Sequence, residues 1–133
     1  MSTLIGVISD THGVVRPEAL SYFGGADLIF HGGDIGSVAV LRALERIAPV
    51  VAVRGNCDRE EWSKELPISR SFEIEGRRFL IVHNRRDLKV PPRDFDGVIF
   101  GHSQGGSGCR YRWPGLGLKT GNCCRRLLSW FRL

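Results

Sequence analysis

Apolar residues in this chain come in short runs, and each run gives way to residues that carry chemistry. The first, "LIGVIS" (4–9), is nearly continuous, as a strand buried on both faces would be. "PEALSYF" (17–23) comes next, with Pro17 suited to a first helical turn, and "DLIFH" (27–31) reads as a second strand. In "SVAVLRALERIA" (37–48), Val38, Leu41, Leu44, Ile47 and Ala48 recur at helical spacing behind Ser37, an N-cap residue. Pro49 closes that helix, and "VVAVRG" (50–55) supplies a third strand. The pattern then changes: "SRSFEIEG" and "RRFLIVH" flank Gly76 and predict an antiparallel hairpin, with "GVIFGH" (97–102) as one more strand. Parallel βαβ units succeeded by a hairpin predict an α/β sandwich of mixed sheets.

The residues just past each strand matter more than the strands themselves. The first strand ends in Ser9-Asp10-Thr11-His12-Gly13, the second in His31-Gly32-Gly33-Asp34 and the third in Gly55-Asn56-Cys57-Asp58. The hairpin ends in His83-Asn84 and the last strand in Gly101-His102. Ligands bind at the carboxyl ends of strands in open α/β sheets, so these residues can converge. Asp10, His12, Asp34, Asn56, His83 and His102 are carboxylate, amide and imidazole donors that suit Mn²⁺, Fe²⁺, Ni²⁺ or Zn²⁺. Asp10 and His12 stand two apart, which in an extended segment puts both on one side. A single Asp34 can bridge two ions with its two oxygens, the arrangement of two-metal phosphate-ester hydrolysis. His31 is read as a packing residue.

Composition sharpens the boundaries. The 133 residues suffice for one domain with a real core, and no run of 18 apolar residues exists to span a membrane. "MSTLIGVISDTHG" lacks a basic n-region, so a cytoplasmic location with free thiols is expected. The net charge of +5 would suggest nucleic acid as a partner, but residues 1–104 carry 13 basic and 14 acidic residues. Residues 105–133 carry six basic residues, no acid and three of the four cysteines. The excess charge belongs to the tail, and a domain over 1–104 is expected to end there. The cysteines form no CxxC pair, which argues against a zinc knuckle.

"DTHG", "GD", "GNCD", "VH" and "GH", in this order, resemble the calcineurin-like metallophosphoesterases, in particular their small bacterial phosphodiesterase group. The resemblance covers residues 1–104. It implies two mixed β-sheets flanked by helices and a dinuclear centre, with Mn²⁺ the best-suited ion. One metal would take Asp10, His12 and Asp34, and the other Asp34, Asn56, His83 and His102. A hydroxide between the ions would attack the phosphorus of a phosphate-ester substrate, with Gly13, Cys57 and Asp58 beside that substrate. Cys57 stands where many relatives carry a protonating histidine.

The pattern breaks at Gln104, where the family's last motif has a second histidine for the first metal; glutamine is the poorer donor. The strands that close the family's sheet are expected to be missing, and 105–133 shows little strand alternation. The tail reads as a basic nucleic-acid arm, as an amphipathic end ("RRLLSWFRL") on an anionic membrane, or as the product of a reading-frame change near codon 104. The last is favoured because one event explains both departures; a coding sequence with no better frame after codon 103 would exclude it. The competing functional expectation is an impaired or non-catalytic scaffold of the same fold. Neither oligomeric state nor substrate is legible in the chain.

Overall fold

The computed structural model describes residues 3–102 and 127–132. Strand β1 (Leu4–Ser9) leads through helix α1 (Pro17–Tyr22) to β2 (Leu28–His31), then through α2 (Val38–Glu45) to β3 (Val50–Ala52). A 3₁₀ helix (Glu61–Glu65) precedes the hairpin of β4 (Ser69–Ile74) and β5 (Arg77–Asn84), and β6 (Gly97–His102) comes after two short 3₁₀ turns. One sheet has the order β3-β2-β1-β7, where β7 is Leu127–Arg132 and the other three strands are mutually parallel, and the second sheet has the order β4-β5-β6. In the second sheet β4 is antiparallel to β5 and β6 is parallel to it, so the expected mixed character holds.

Both faces of the first sheet are covered, which is why its strands read as continuous apolar runs. Ile5, Val7, Leu28, Phe30, Val51 and Val53 face Phe79, Ile81 and Ile99 of the second sheet. Phe30 meets Phe79 and Phe72 with ring centroids 6.0 and 6.2 Å apart. On the opposite face Ile8, Ile29 and Ala52 pack with Phe23, Val40 and Leu44 from the helical layer. Ser37 caps α2 by accepting from the Ala39 amide at 3.2 Å. The buried residues of that helix are Val40 and Leu44, with Ala48 buried just past its end; Val38, expected on the buried stripe, lies at the first helical position and is exposed. The hairpin turns at Glu75-Gly76, both with positive φ (52° and 75°), the geometry that matches the twist of paired strands.

Two expectations need correction. The third strand is shorter than 50–55: after Ala52 only Val53 still bonds the His31 carbonyl, and the chain then leaves to form the Gly55 loop. The tail beyond 104 does supply a strand. The backbone of β7 (Leu127–Arg132) pairs antiparallel with β1, from Leu4 opposite Arg132 to Ser9 opposite Leu127. The edge of β1 away from β2 would otherwise present unpaired N–H and C=O groups, and the backbone of "LLSWFR" satisfies them without needing alternation.

Gly6 permits the close seating of Phe23 on β1, because a Cβ there would run into the Phe23 ring. Gly6→Val should therefore cost about 1–3 kcal/mol, as overpacking of a filled core does. A lowered urea midpoint, partly restored by adding Phe23→Leu, is the expected result; an unchanged midpoint would show that the ring moves aside freely.

Candidate metal centre

Residues at the ends of β1, β2, β3 and β5 meet at one edge of the sandwich, and the backbone there is unusual. Asp10, His12 and Asp34 all have positive φ, 57°, 47° and 55°. Such values are uncommon outside glycine and cluster where function demands them. Interloop bonds hold the conformation: Asp10 N donates to Gly33 O (3.0 Å), His12 N to Asp34 O (3.0 Å) and Gly13 N to Ile35 O (2.7 Å). Strand alternation, expected from their spacing, is therefore not what aligns Asp10 with His12. A left-handed loop does so instead, leaving His12 Nε2 4.0 Å from Asp10 Oδ1.

Close backbone approach explains two of the motif glycines. A Cβ on Gly55 would strike the backbone and carboxylate of Asp34, and one on Gly101 would strike Gly32 O, Ser9 Oγ and His83 Nδ1. Gly101 thus lets β6 cross the end of the first sheet, with the backbone of His102 in register beside Asn84. The His102 side chain and all of Gln104 lie outside the described residues.

Asp34 is the centre of the cluster. It is 2% exposed, and its Oδ1 accepts from Cys57 N at 2.9 Å. Its Oδ2 lies 3.2 Å from His83 Nε2. Burial alone would raise its pKa, but the hydrogen bonds from His83 and Cys57 and the neighbouring imidazoles lower it to about 2. His83 Nδ1 donates to the Gly32 carbonyl at 2.7 Å, which aims Nε2 at Asp34 and at Asn56 Oδ1, 2.9 Å away. Burial would lower the His83 pKa; Asp34, the Gly32 carbonyl and Asp10 outweigh it and raise the value above 6.5. Desolvation pushes the Asp10 carboxyl up, with Ser9 Oγ donating to it at 2.6 Å and pulling the other way.

Two overlapping donor sets result. Ligand atoms of Asp10, Asp34 and His83 lie within 4.8 Å of one another, and so do those of His12, Asp34 and Cys57. Asp34 belongs to both. Two acceptor oxygens, that of Asp34 buried and that of Asp10 partly so, and an imidazole nitrogen facing one point is an arrangement that only a cation, proton or metal, makes attractive, so the donor set fits a divalent ion. Asp10 groups with His83 as well as with His12, and Cys57 brings to the donors a thiol expected only beside the substrate.

Asp58, Thr11 and His31 have structural duties in these loops. Asp58, expected beside the substrate, is buried and gives its carboxylate to the backbone amides of Ile35 (3.1 Å), Gly36 (2.9 Å) and Gly55 (2.9 Å). It ties the Asp34 loop to the Asn56 loop. Thr11 Oγ1 donates to Ile35 O at 2.9 Å and so accepts from His31 Nε2 at 3.1 Å. His31 Nδ1 accepts from Gly33 N at 3.1 Å. The imidazole is neutral, held down to about 3 by burial, and serves packing as the sequence suggests. A carboxylate one step past "GNC" and a hydroxyl between two ligand types are the available signals for Asp58 and Thr11.

A family model described as the calcineurin-like phosphoesterase superfamily domain matches residues 3–103. A probable metallophosphoesterase of Methanothermobacter thermautotrophicus is 48% identical over 85 residues, covering 60% of this chain and 49% of that protein. The chain spans about half the length of the curated relatives it matches. Among solved structures, wild-type Vps29 of Entamoeba histolytica complexed with Zn²⁺ superposes with a TM-score of 0.60 at 19% identity, a likeness of fold alone, over 74% of this chain and 63% of that one. A structure described as a novel archaeal phosphodiesterase is 26% identical with a TM-score of 0.60, over 78% of this chain and 75% of that one.

The Asp34–His83 pair generates a pH expectation for metal-free protein. Because the folded pKa of His83 is raised, its contribution to stability is complete below pH 6.5 and is lost as pH rises through the folded value. NMR titration should find His83 protonated past 6.5 in the parent and at a lower pKa in Asp34→Asn. An unchanged value in the variant would remove Asp34 as its principal partner.

Proposed function

Because this chain belongs to the calcineurin-like phosphoesterase superfamily, we propose that it is a metal-dependent phosphodiesterase whose two divalent ions share Asp34. The observation that carries this reading is the membership of one buried carboxylate in both donor sets. The family's motif order divides the ligands differently from those two sets, which join Asp10 to His83 and His12 to Cys57: Asp10, His12 and Asp34 would hold one ion, and Asp34, Asn56, His83 and the His102 at the end of β6 the other. Oxygen and imidazole donors suit Mn²⁺ best, with Ni²⁺, Fe²⁺ or Zn²⁺ as alternatives. Two such ions, when bound, supply the charge that activates water and neutralises the phosphate oxygens as the ester bond breaks.

The chain's own contribution is positioning. Cys57 N–H fixes one oxygen of Asp34 so that the other faces His83. Gly32 O sets the ring of His83, and Ser9 steadies Asp10. Such outer partners fix the orientation and basicity of metal ligands. A diester rather than a monoester is supported by the likeness to the archaeal phosphodiesterase. In place of a protonating histidine the chain offers the Cys57 thiol, whose pKa desolvation and the Asp34 charge raise, so the leaving group must be one that departs without strong help from this side chain.

Exhaustive chelation should abolish hydrolysis of bis(p-nitrophenyl) phosphate, and Mn²⁺ should restore it. Asp34→Asn should lower the bound metal of both sites and reduce kcat/KM by more than about 100-fold, exceeding the cost of losing an outer partner. His83→Ala should empty mainly one site. Activity that survives chelation, or equal metal loss in the two variants by elemental analysis, would contradict the shared role of Asp34.

A further inference from the structure

A cavity of about 540 Å³ adjoins the donor clusters through Gly55 and Asn56. Its size is that of a small-molecule site, and its lining is charged. Arg54, Arg59 and Lys64 contribute three cations, against the carboxylates of Asp58 and Asp87. Asp58 is already committed to three backbone amides. Lys64 is held by Glu61 at 2.6 Å, but both side chains are largely exposed, and such a pair exchanges readily for another anion. Among the described residues Arg59 spends only Nε, donating to Asn56 O at 3.3 Å, which leaves the fork of its guanidinium for a ligand. Arg54 is half-buried, and among the described residues no carboxylate pairs with it. Asn84, at the end of β5, adds an amide whose oxygen is occupied by Arg86 N at 3.0 Å and whose NH₂ remains a donor.

We propose that this cavity is an anion-binding subsite for a second negatively charged group, phosphate or carboxylate, carried by the same phosphodiester that Asp34 and its neighbours would process. The substrate class is thereby narrowed to diesters bearing an additional anion. The substrate half of this inference rests on the phosphodiesterase reading; the affinity of the cavity for an anion does not. The neighbouring Asn56 connects the two: its amide oxygen meets His83, while the residue also lines the cavity. Arginine forks bind phosphate and carboxylate bidentately, which gives the cavity its selectivity for planar or tetrahedral oxyanions.

The test uses the full chain without added metal, titrated with inorganic phosphate and monitored by amide NMR shifts. Saturable shifts at Arg54, Arg59 and Asn84 are expected, with affinity about tenfold weaker in Arg54→Gln and only partly kept in Arg54→Lys, which retains the charge but loses the fork. Arg16→Gln, an exposed cation elsewhere, serves as the charge control, and a thermal melt of each variant checks folding. Equal binding by parent and Arg54→Gln, or shifts confined to Asp10, Asp34 and His83, would overturn the subsite. Arg54 would then be a half-buried arginine with its stem against the protein and its head in water. With Mn²⁺ present, the preference in kcat/KM for a p-nitrophenyl diester bearing a carboxylate over bis(p-nitrophenyl) phosphate should fall about tenfold in Arg54→Gln. Phosphate binding at the cavity without hydrolysis of any diester would support the subsite and defeat the phosphodiesterase reading. Hydrolysis without phosphate binding would do the reverse.

Discussion

The Asp34 carboxylate, buried against His83 Nε2 at 3.2 Å, is the interaction on which the functional edge of this protein depends. Removing a carboxylate from water is costly unless charge and hydrogen bonds replace the lost solvation. Here the replacement comes from the Cys57 amide on one oxygen and the imidazole on the other. The imidazole is itself oriented by the Gly32 carbonyl, so the loops after β2 and β3 and the end of strand β5 are bound to one charged group. A cation beside Asp34 would relieve the same cost, and the family's metal dependence is the natural consequence of a fold that has already gathered the anions.

Holding that group in place requires a backbone that would not persist alone. Left-handed conformations at Asp10, His12 and Asp34 cost on the order of 1–3 kcal/mol each. Their cost is offset by the interloop amide bonds, by Thr11 braced between Ile35 and His31, and by Asp58, which satisfies three amides. None of these supporting groups needs to touch a substrate. They explain why so many polar residues are buried at the strand ends while the sheets behind them are apolar.

Much of the scaffold is legible in the sequence because burial on both faces writes itself as unbroken apolar runs. β1 and β6 fall on the expected residues, and Gly76 marks the hairpin turn. The convergence of Asp10, Asp34, Asn56 and His83 can be read from their places at strand ends, since topology alone brings those ends together. The features that depend on loop conformation escape such a reading. Spacing assigns the Asp10–His12 alignment to strand geometry, whereas φ values of 57° and 47° belong to a turn. Nothing in "GNCD" reveals that Asp58 reaches two amides of a loop over twenty residues away as well as that of Gly55. β7 escapes because an edge strand that answers unpaired backbone groups needs no alternating pattern.

The central claim is that one carboxylate serves two ions, and diffraction from crystals of the full chain soaked in Mn²⁺ tests it directly. Anomalous difference maps should show two peaks roughly 3.5–4 Å apart, the spacing of two-metal hydrolytic sites, one on either side of the Asp34 carboxylate. A single peak, or two peaks of which only one lies within bonding distance of Asp34, would contradict the account.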